Sequence, residues 1–404
     1  MGRQWRNLKE WKWFGFGQKQ GNPGPAELAL FCPACPQPGI NLPESWEDDP
    51  TDWYYWRSFV ADGNFVAVHQ LQPRSVDDVW IKNGEGFMTE RTRYQEHLDC
   101  TTEQREVSSF YSAEGFFLTG SQPTTCHEHR AVLDKSKCHK GCDVSGIGAL
   151  ACLRHGCYAP GSVVDFQKGE RQMNMDYSLC EAIKYSNVDQ VPGVILAYDI
   201  ACQYSVNLRK RIMEGPFLDL SVDLPILPAI GLFHVHGHQE KCYARYAPTF
   251  VRGIGKGDGE ILETNWGVLN GISPMARTMT LAHRTEVMDA HFADNNWKKM
   301  VNMGQSLTEN NSAGWLFTCL HLEATLCNKW KDMCKRKLEH VEDFDIMMET
   351  ASAGQIETWT QLAETADERR LFDVTAMDIY NISLPKGKLC LSIQSLESVR
   401  RMIQ

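Results

Sequence analysis

The sequence predicts an α/β fold whose C-terminal half is helical. Three observations carry that reading. Val194-Ile-Leu-Ala-Tyr198 is a short apolar run preceded by Pro192-Gly193, which suits a buried core strand. Residues 54–61 and 65–71 are β-prone on either side of Asp62-Gly63-Asn64, which is turn chemistry. Residues 278–372 keep helical periodicity over most of their length. Mixed signals of this kind build a sheet covered by helices.

Each element can be taken in order. Residues 18–50 are rich in Pro and Gly and contain Cys32-Pro-Ala-Cys35, so 1–50 reads as an irregular Cys/Pro-rich lead-in. Trp53 to Leu71 reads as strand, tight turn and strand. Residues 72–125 are mixed and polar. Residues 126–157 concentrate Cys and His and read as an insertion within a core spanning 51–300. A helix is expected over 174–188, a strand over 194–198 ending at Asp199, and a helix onward to Met213. Residues 222–238 are Pro-interrupted and end in His234-Val-His236-Gly-His238. The Gly-rich stretch 253–259 leads into a helix with Leu262, Trp266 and Leu269 at helical spacing. Residues 301–404 form a mainly helical region, with mixed β-like signals after 373. No internal repeat of 20–50 residues is visible.

Composition bounds the function. Twelve Trp, 17 Phe and 12 Tyr in 404 residues argue for a packed core rather than disorder. A net charge of −10 excludes coating nucleic acid by bulk positive charge, while leaving room for a local basic groove. Lys298-Lys299, Arg209 to Arg211, Arg277 and Arg284 are basic spots that could touch phosphates, or ordinary solvated helix faces. No stretch approaches the ~20 apolar residues of a membrane span. The start, Met1 to Gly17, has no apolar signal region and reads as mid-domain sequence. Fifteen Cys in such a chain point to the reducing cell interior, where thiols serve burial, catalysis or metal binding.

Three acids occupy positions suited to metal-ion chemistry. Asp62 interrupts or ends a strand, Asp199 ends an apolar strand, and Glu263 lies near a helix start with Glu260 one turn before it. Such carboxylates can converge on Mg²⁺ or Mn²⁺, which prefer oxygen ligands. Taken singly, each has a plainer role: Asp62-Gly63 as a hairpin turn, Asp199 as a helix cap, and the glutamates as a solvated first turn.

The Cys and His spacings suit zinc. Cys32/Cys35 form C-x2-C, Cys126/His129 and Cys152/His155 form C-x2-H, and His238/Cys242 form H-x3-C. The preferred pairing is Cys152 and His155 with His238 and Cys242, a structural Cys2His2 site. Burial as small apolar residues is the alternative, above all for Cys138 and Cys142. On a strand, His234, His236 and His238 would share one face and could serve a zinc hydrolase. The stretch Gly253 to Gly259 is not a phosphate-binding P-loop, since it lacks the Gly-Lys-Ser/Thr ending.

Nine ordered segments resemble the Kyakuja–Dileera–Zisupton (KDZ) transposases, a family abundant in basidiomycete fungi. They include Phe31 to Gly39, Asp62-Gly-Asn-Phe65, Ala151 to Cys157, Lys168 to Tyr177 and Tyr198-Asp-Ile-Ala-Cys-Gln-Tyr204. Phe233 to His238, Arg245 to Pro248, Asp258 to Trp266 and Asn295 to Lys299 complete the set. The resemblance implies an RNase H-like core with a D-D-E site. Asp62, Asp199 and Glu263 fall on the three acids, with Glu260 as fallback for the third. It also implies a metal-binding elaboration between the first two acids. The helix after Glu263 departs from expectation in carrying Asn265 and Gly267.

The resemblance further implies a DNA transposase that cleaves and joins phosphodiesters with two Mg²⁺ (or Mn²⁺), with zinc structural. Its partners would be transposon ends and target DNA, together with a second copy of the chain. Its place would be inside the cell, in the nucleus, and not at a membrane. Two rival readings stand beside it: an inactive or domesticated remnant that binds DNA or protein, and a zinc hydrolase built on the three histidines.

Overall fold

The computed structural model describes residues 2–18, 21–73, 78–101, 126, 140–188, 190–254, 257–305 and, with gaps, 331–381. Seven strands form two sheets among the described residues. The main sheet runs β5-β4-β1-β6-β7, built from β1 (Arg57–Asn64), β4 (Gly146–Cys152), β5 (Val164–Phe166), β6 (Val194–Tyr198) and β7 (Ile226–Ala229). The strands β1, β4 and β5 pair antiparallel, while β1, β6 and β7 pair parallel, so the sheet is mixed. The short pair β2 (His69–Gln70) and β3 (Cys142–Val144) lies apart.

Strand parity sorts the core into two layers. On β1, Phe59 and Ala61 face one cluster and Val60 the other; on β6, Val194, Leu196 and Tyr198 alternate with Ile195 and Ala197 in the same way. The first cluster packs under helix α2 (Gln172–Tyr185), the short helices α3 (Ala201–Tyr204) and α4 (Leu208–Glu214), and Val235 of α5 (Leu232–Val235). The second packs under α7 (Ile261–Leu269) and α9 (Leu281–Gln305), through Leu262, Trp266, Leu269, Met288 and Phe292. Further described helices include α1 (Gly2–Trp13), α6 (Glu240–Tyr246), α8 (Ser273–Ala276) and α10 (Ala353–Arg369).

The expected strand at 194–198 and the helix near 174–188 are present. The expected turn at Asp62-Gly63-Asn64 is not: β1 runs straight through it, and its partners are β4 and β6 rather than residues 65–71. Gly63 serves there because a Cβ would lie 2.5 Å from the Glu170 carboxylate. The segment 126–157 also departs from expectation, since it holds the fully buried strand β4 rather than only an insertion. Its small residues Gly146-Ile-Gly-Ala-Leu-Ala-Cys hide the strand pattern. The lead-in sits against the core: Leu28 and Ala29 are buried, and Arg3 pairs with Glu286 at 2.7 Å. Pro228 fits because β7 is an edge strand. After 373 the described chain is a 3₁₀ turn, Val374–Tyr380, and residues 382–404 lie outside the described ones.

Candidate active site and metal-binding groups

The parallel register of β1 and β6 places Ala61 beside Tyr198, so Asp62, still within β1, comes beside Asp199, the first residue after β6. Helix α7 crosses above and brings Glu263, with Glu260 as its N-cap residue. All four acids line one pocket, together with His234 and Gly259. The buried face of α7 explains the two departures noted in its sequence. Asn265 is buried and donates to Gly156 O at 2.9 Å, while Gly267 faces open space.

Asp62 is held rigidly. The Trp266 indole N–H donates to its Oδ2 at 2.7 Å, and the Gly63 N–H donates to Oδ1 at 2.7 Å. Burial, then the negative charges of Glu170 and Asp199, keep the Asp62 carboxyl well above its usual range, against the pull of those two bonds. Glu170 is buried behind it and accepts the Tyr198 hydroxyl. Neither Trp266 nor Glu170 stands out in the sequence as a site residue. Trp266 reads there as an apolar helix position, and Glu170 as part of a motif without a role.

The loops before the acids are tightly built. Gly231 is required because a Cβ would lie 2.2 Å from Glu260 Oε1, and Gly259 takes φ +83° with its Cβ position 2.9 Å from Gly231 Cα. The Leu232 N–H donates to Asp258 O at 2.7 Å, which clasps α5 to the loop before α7. The clasp sets His234 among the acids. Its Nε2 is 2.9 Å from Glu260 Oε2 and 3.3 Å from Glu263 Oε1, and its Nδ1 is 3.5 Å from Asp199 Oδ2. The bond to Glu260 pushes the imidazole up to about 9. Burial pushes Asp199 up to about 6, with His234 opposing. Glu260 is the more enclosed glutamate, at 18% exposure against 64% for Glu263.

The histidine stretch is not the strand that would put three rings on one face. It is α5 and a following turn, so the rings diverge. His234 meets the acids, His236 lies against Tyr243 with ring centres 5.5 Å apart, and His238 joins a cysteine group.

Two Cys3His groups occur among the described residues, and each could hold a zinc ion. Cys32, Cys35, Cys152 and His155 form the first; Cys126, Cys202, His238 and Cys242 form the second. The expected pairing of Cys152/His155 with His238/Cys242 is therefore corrected. The two pairs complete different groups because β4 carries Cys152 toward the lead-in, while Cys202 on α3 meets α6. In the first group His155 Nδ1 is 3.3, 3.6 and 3.4 Å from the sulfurs of Cys32, Cys35 and Cys152. In the second, Cys202 Sγ is 3.4 Å from His238 Nδ1 and Cys126 Sγ is 3.9 Å from Cys242 Sγ. Tetrahedral zinc ligands at ~2.0–2.3 Å stand about 3.6–3.8 Å apart, close to these separations. A bond from Cys202 draws the Cys242 thiol down to about 4, and a bond from Cys152 leads in lowering Cys32, so each group has one thiol inclined to the thiolate. Of the Cys126/His129 pair, His129 lies outside the described residues, as does Cys138, and Cys126 stands in the second group with Cys202. Cys202 has no sequence neighbour at ligand spacing, which is why it escapes a spacing search.

The basic spots are mostly occupied. Arg284 is fully buried and paired with Asp165 at 2.8 Å, Arg211 pairs with Asp176 at 2.7 Å, and Lys298 with Asp294 at 2.6 Å. No described helix is long and apolar enough to cross a membrane.

A family model described as Kyakuja-Dileera-Zisupton transposase matches residues 55–296, well over half of the chain. No curated protein and no solved structure matches. The matched region spans the whole mixed sheet, the acidic pocket and most of α9. On that match, the chain belongs to the Kyakuja-Dileera-Zisupton transposase family.

Proposed function

We propose that this chain cuts and joins DNA phosphodiesters as a DDE-type transposase on an RNase H-like core. One observation carries the reading: Asp62, Asp199 and Glu263, with Glu260 beside it, line a single pocket in a chain whose family implies DNA binding. The core assignment is supported by a mixed sheet with its first strand central, an antiparallel pair on one side and a parallel pair on the other.

The donors fit a divalent cation. Four carboxylates and one imidazole line one pocket at the protein surface, and the His234 nitrogens stand 2.9–3.5 Å from oxygens of Asp199, Glu260 and Glu263. Bound there, such ions supply activation of water or a 3′-hydroxyl and stabilisation of the leaving oxygen. The chain supplies placement. Trp266 and the Gly63 N–H fix Asp62, the Gly231–Gly259 contact fixes Glu260, and the strand ends fix Asp199. Positioning of this kind is most of what phosphoryl transfer asks of a protein. The two Cys3His groups are assigned to structural zinc, one tying the lead-in to β4 and one tying α3 to α6. DNA as the substrate implies work in the nucleus.

The test is DNA nicking and end-joining with Mg²⁺ or Mn²⁺, comparing the chain with Asp199→Asn. Metal-dependent activity lost in the variant supports the reading. No activity in either folded protein favours an inactive remnant that binds DNA or protein.

A further inference from the structure

We propose that His234 is a direct ligand of the catalytic cation, and that this site takes a first-row transition ion such as Mn²⁺ in preference to Mg²⁺. The inference rests on the acidic pocket being the catalytic site and adds a nitrogen donor to its carboxylates.

The geometry has three parts. His234 Nε2 stands 2.9 Å from Glu260 Oε2 and 3.3 Å from Glu263 Oε1. Octahedral neighbours around an ion at ~2.1 Å stand about 3.0 Å apart, close to the separation of His234 Nε2 from each glutamate oxygen, and the three donor atoms all lie within 4.8 Å of one another. The other ring nitrogen, Nδ1, faces Asp199 Oδ2 at 3.5 Å. A metal-bound imidazole commonly donates its second N–H to a carboxylate, which fixes the ring and the tautomer. In the cation-free protein the Nε2–H points at Glu260 Oε2; a cation in that proton's place would be held by Nε2 and the glutamate oxygens, with Nδ1 turned toward Asp199. Lastly, the ring has little freedom to leave. Its helix α5 is anchored by the Leu232 N–H to Asp258 O bond, and the Phe233 N–H reaches Glu260 Oε1 at 3.3 Å.

The donor set sets the preference. Mg²⁺ seeks oxygen ligands and keeps much of its water, whereas imidazole suits first-row transition ions. A His–Glu–Glu set therefore favours Mn²⁺ over Mg²⁺. It also leaves Asp199 Oδ1 and Asp62 for a second cation or for the substrate side of the pocket.

The experiment uses the zinc-loaded full chain and Mn²⁺ as the probe, followed by pulsed electron paramagnetic resonance and by titration of free Mn²⁺. The wild-type chain should show nitrogen coupling to bound Mn²⁺. His234→Gln should lose that coupling and bind Mn²⁺ at least tenfold more weakly, with Mg²⁺ affinity changed less than threefold. Unchanged zinc content and circular dichroism would show that the variant folds. Mn²⁺ bound without nitrogen coupling in the wild type, yet displaced by Asp199→Asn, would overturn the His234 ligand and leave the acidic site standing. Nitrogen coupling that persists in His234→Gln would overturn it equally. Mn²⁺ binding indifferent to both Asp199→Asn and Glu260→Gln would overturn the acidic site and this ligand together.

Discussion

Asp199→Asn should stabilise the cation-free protein at pH 8 while removing its activity. The carboxyl is raised from its usual 3.8 to about 6, chiefly by burial. The folded chain thus holds this proton to higher pH than the unfolded chain. Folding is favoured below about pH 4, and that advantage is lost as pH rises through 6. The full difference corresponds to about 3 kcal/mol. A quarter of the side chain is open to water, at 26% exposure, so roughly 1–2 kcal/mol is the expected net effect. Asparagine keeps the shape and carries no charge to bury. Its melting temperature at pH 8 should exceed the wild type by about 2–5 °C, and the gap should close near pH 4. The assay is thermal unfolding by circular dichroism in buffer without Mg²⁺ or Mn²⁺ and without chelator, so that zinc stays bound. A variant less stable than the wild type at pH 8, or a gap that does not change with pH, would refute the burial argument. The acidic pocket would then not be a place where stability is given up for charge.

Three further outcomes follow from the same geometry. Zinc content by elemental analysis should fall by one ion per chain in Cys32→Ser and in Cys202→Ser alike, and by two when they are combined, because the two groups share no ligand. Gly231→Ala should drive Glu260 from its place beside His234, since the new Cβ would stand 2.2 Å from Oε1; nicking should fall at least tenfold with circular dichroism unchanged. Trp266→Phe should cost about 1–3 kcal/mol in urea unfolding, the penalty for leaving a buried carboxyl without its donor. It should also slow nicking more than it weakens DNA binding.

Much of the candidate site can be read in the sequence because acids at the end of a strand or the start of a helix carry their own punctuation. Asp199 closes an unambiguous apolar run, and Glu260 and Glu263 follow a glycine-rich approach to a helix with apolar spacing. The surroundings are less legible. Asp62-Gly63 has the chemistry of a turn, and only the Glu170 side chain above it shows why glycine sits inside a strand. The strand β4 hides in a Cys- and His-rich stretch because Gly and Ala carry little β signal, though they are what a crowded central strand needs. The Cys/His groups mislead for another reason. Spacing reveals half-sites such as Cys152/His155 and His238/Cys242, but which halves meet depends on tertiary path. Single contributors such as Cys202 have no spacing at all. His234 is visible as a histidine and not as a companion of carboxylates, since that role arises from the clasp between residues 231 and 259.

The central position of β1 has a consequence for how the chain is made. Both strands that flank it come later: β4 begins 82 residues after β1 ends, and β6 later still. At about 5–20 residues per second, a ribosome leaves both edges of β1 unpaired for roughly 4–16 s before the first partner exists. Throughout that interval Phe59 and Val60, destined for opposite layers, lack the neighbouring strands and most of the helices that cover them in the folded chain. Open strand edges of this kind recruit other chains. The nascent protein therefore has a window of exposure to aggregation or chaperone capture set by the order of its sheet, and any insertion between β1 and β4 would lengthen it.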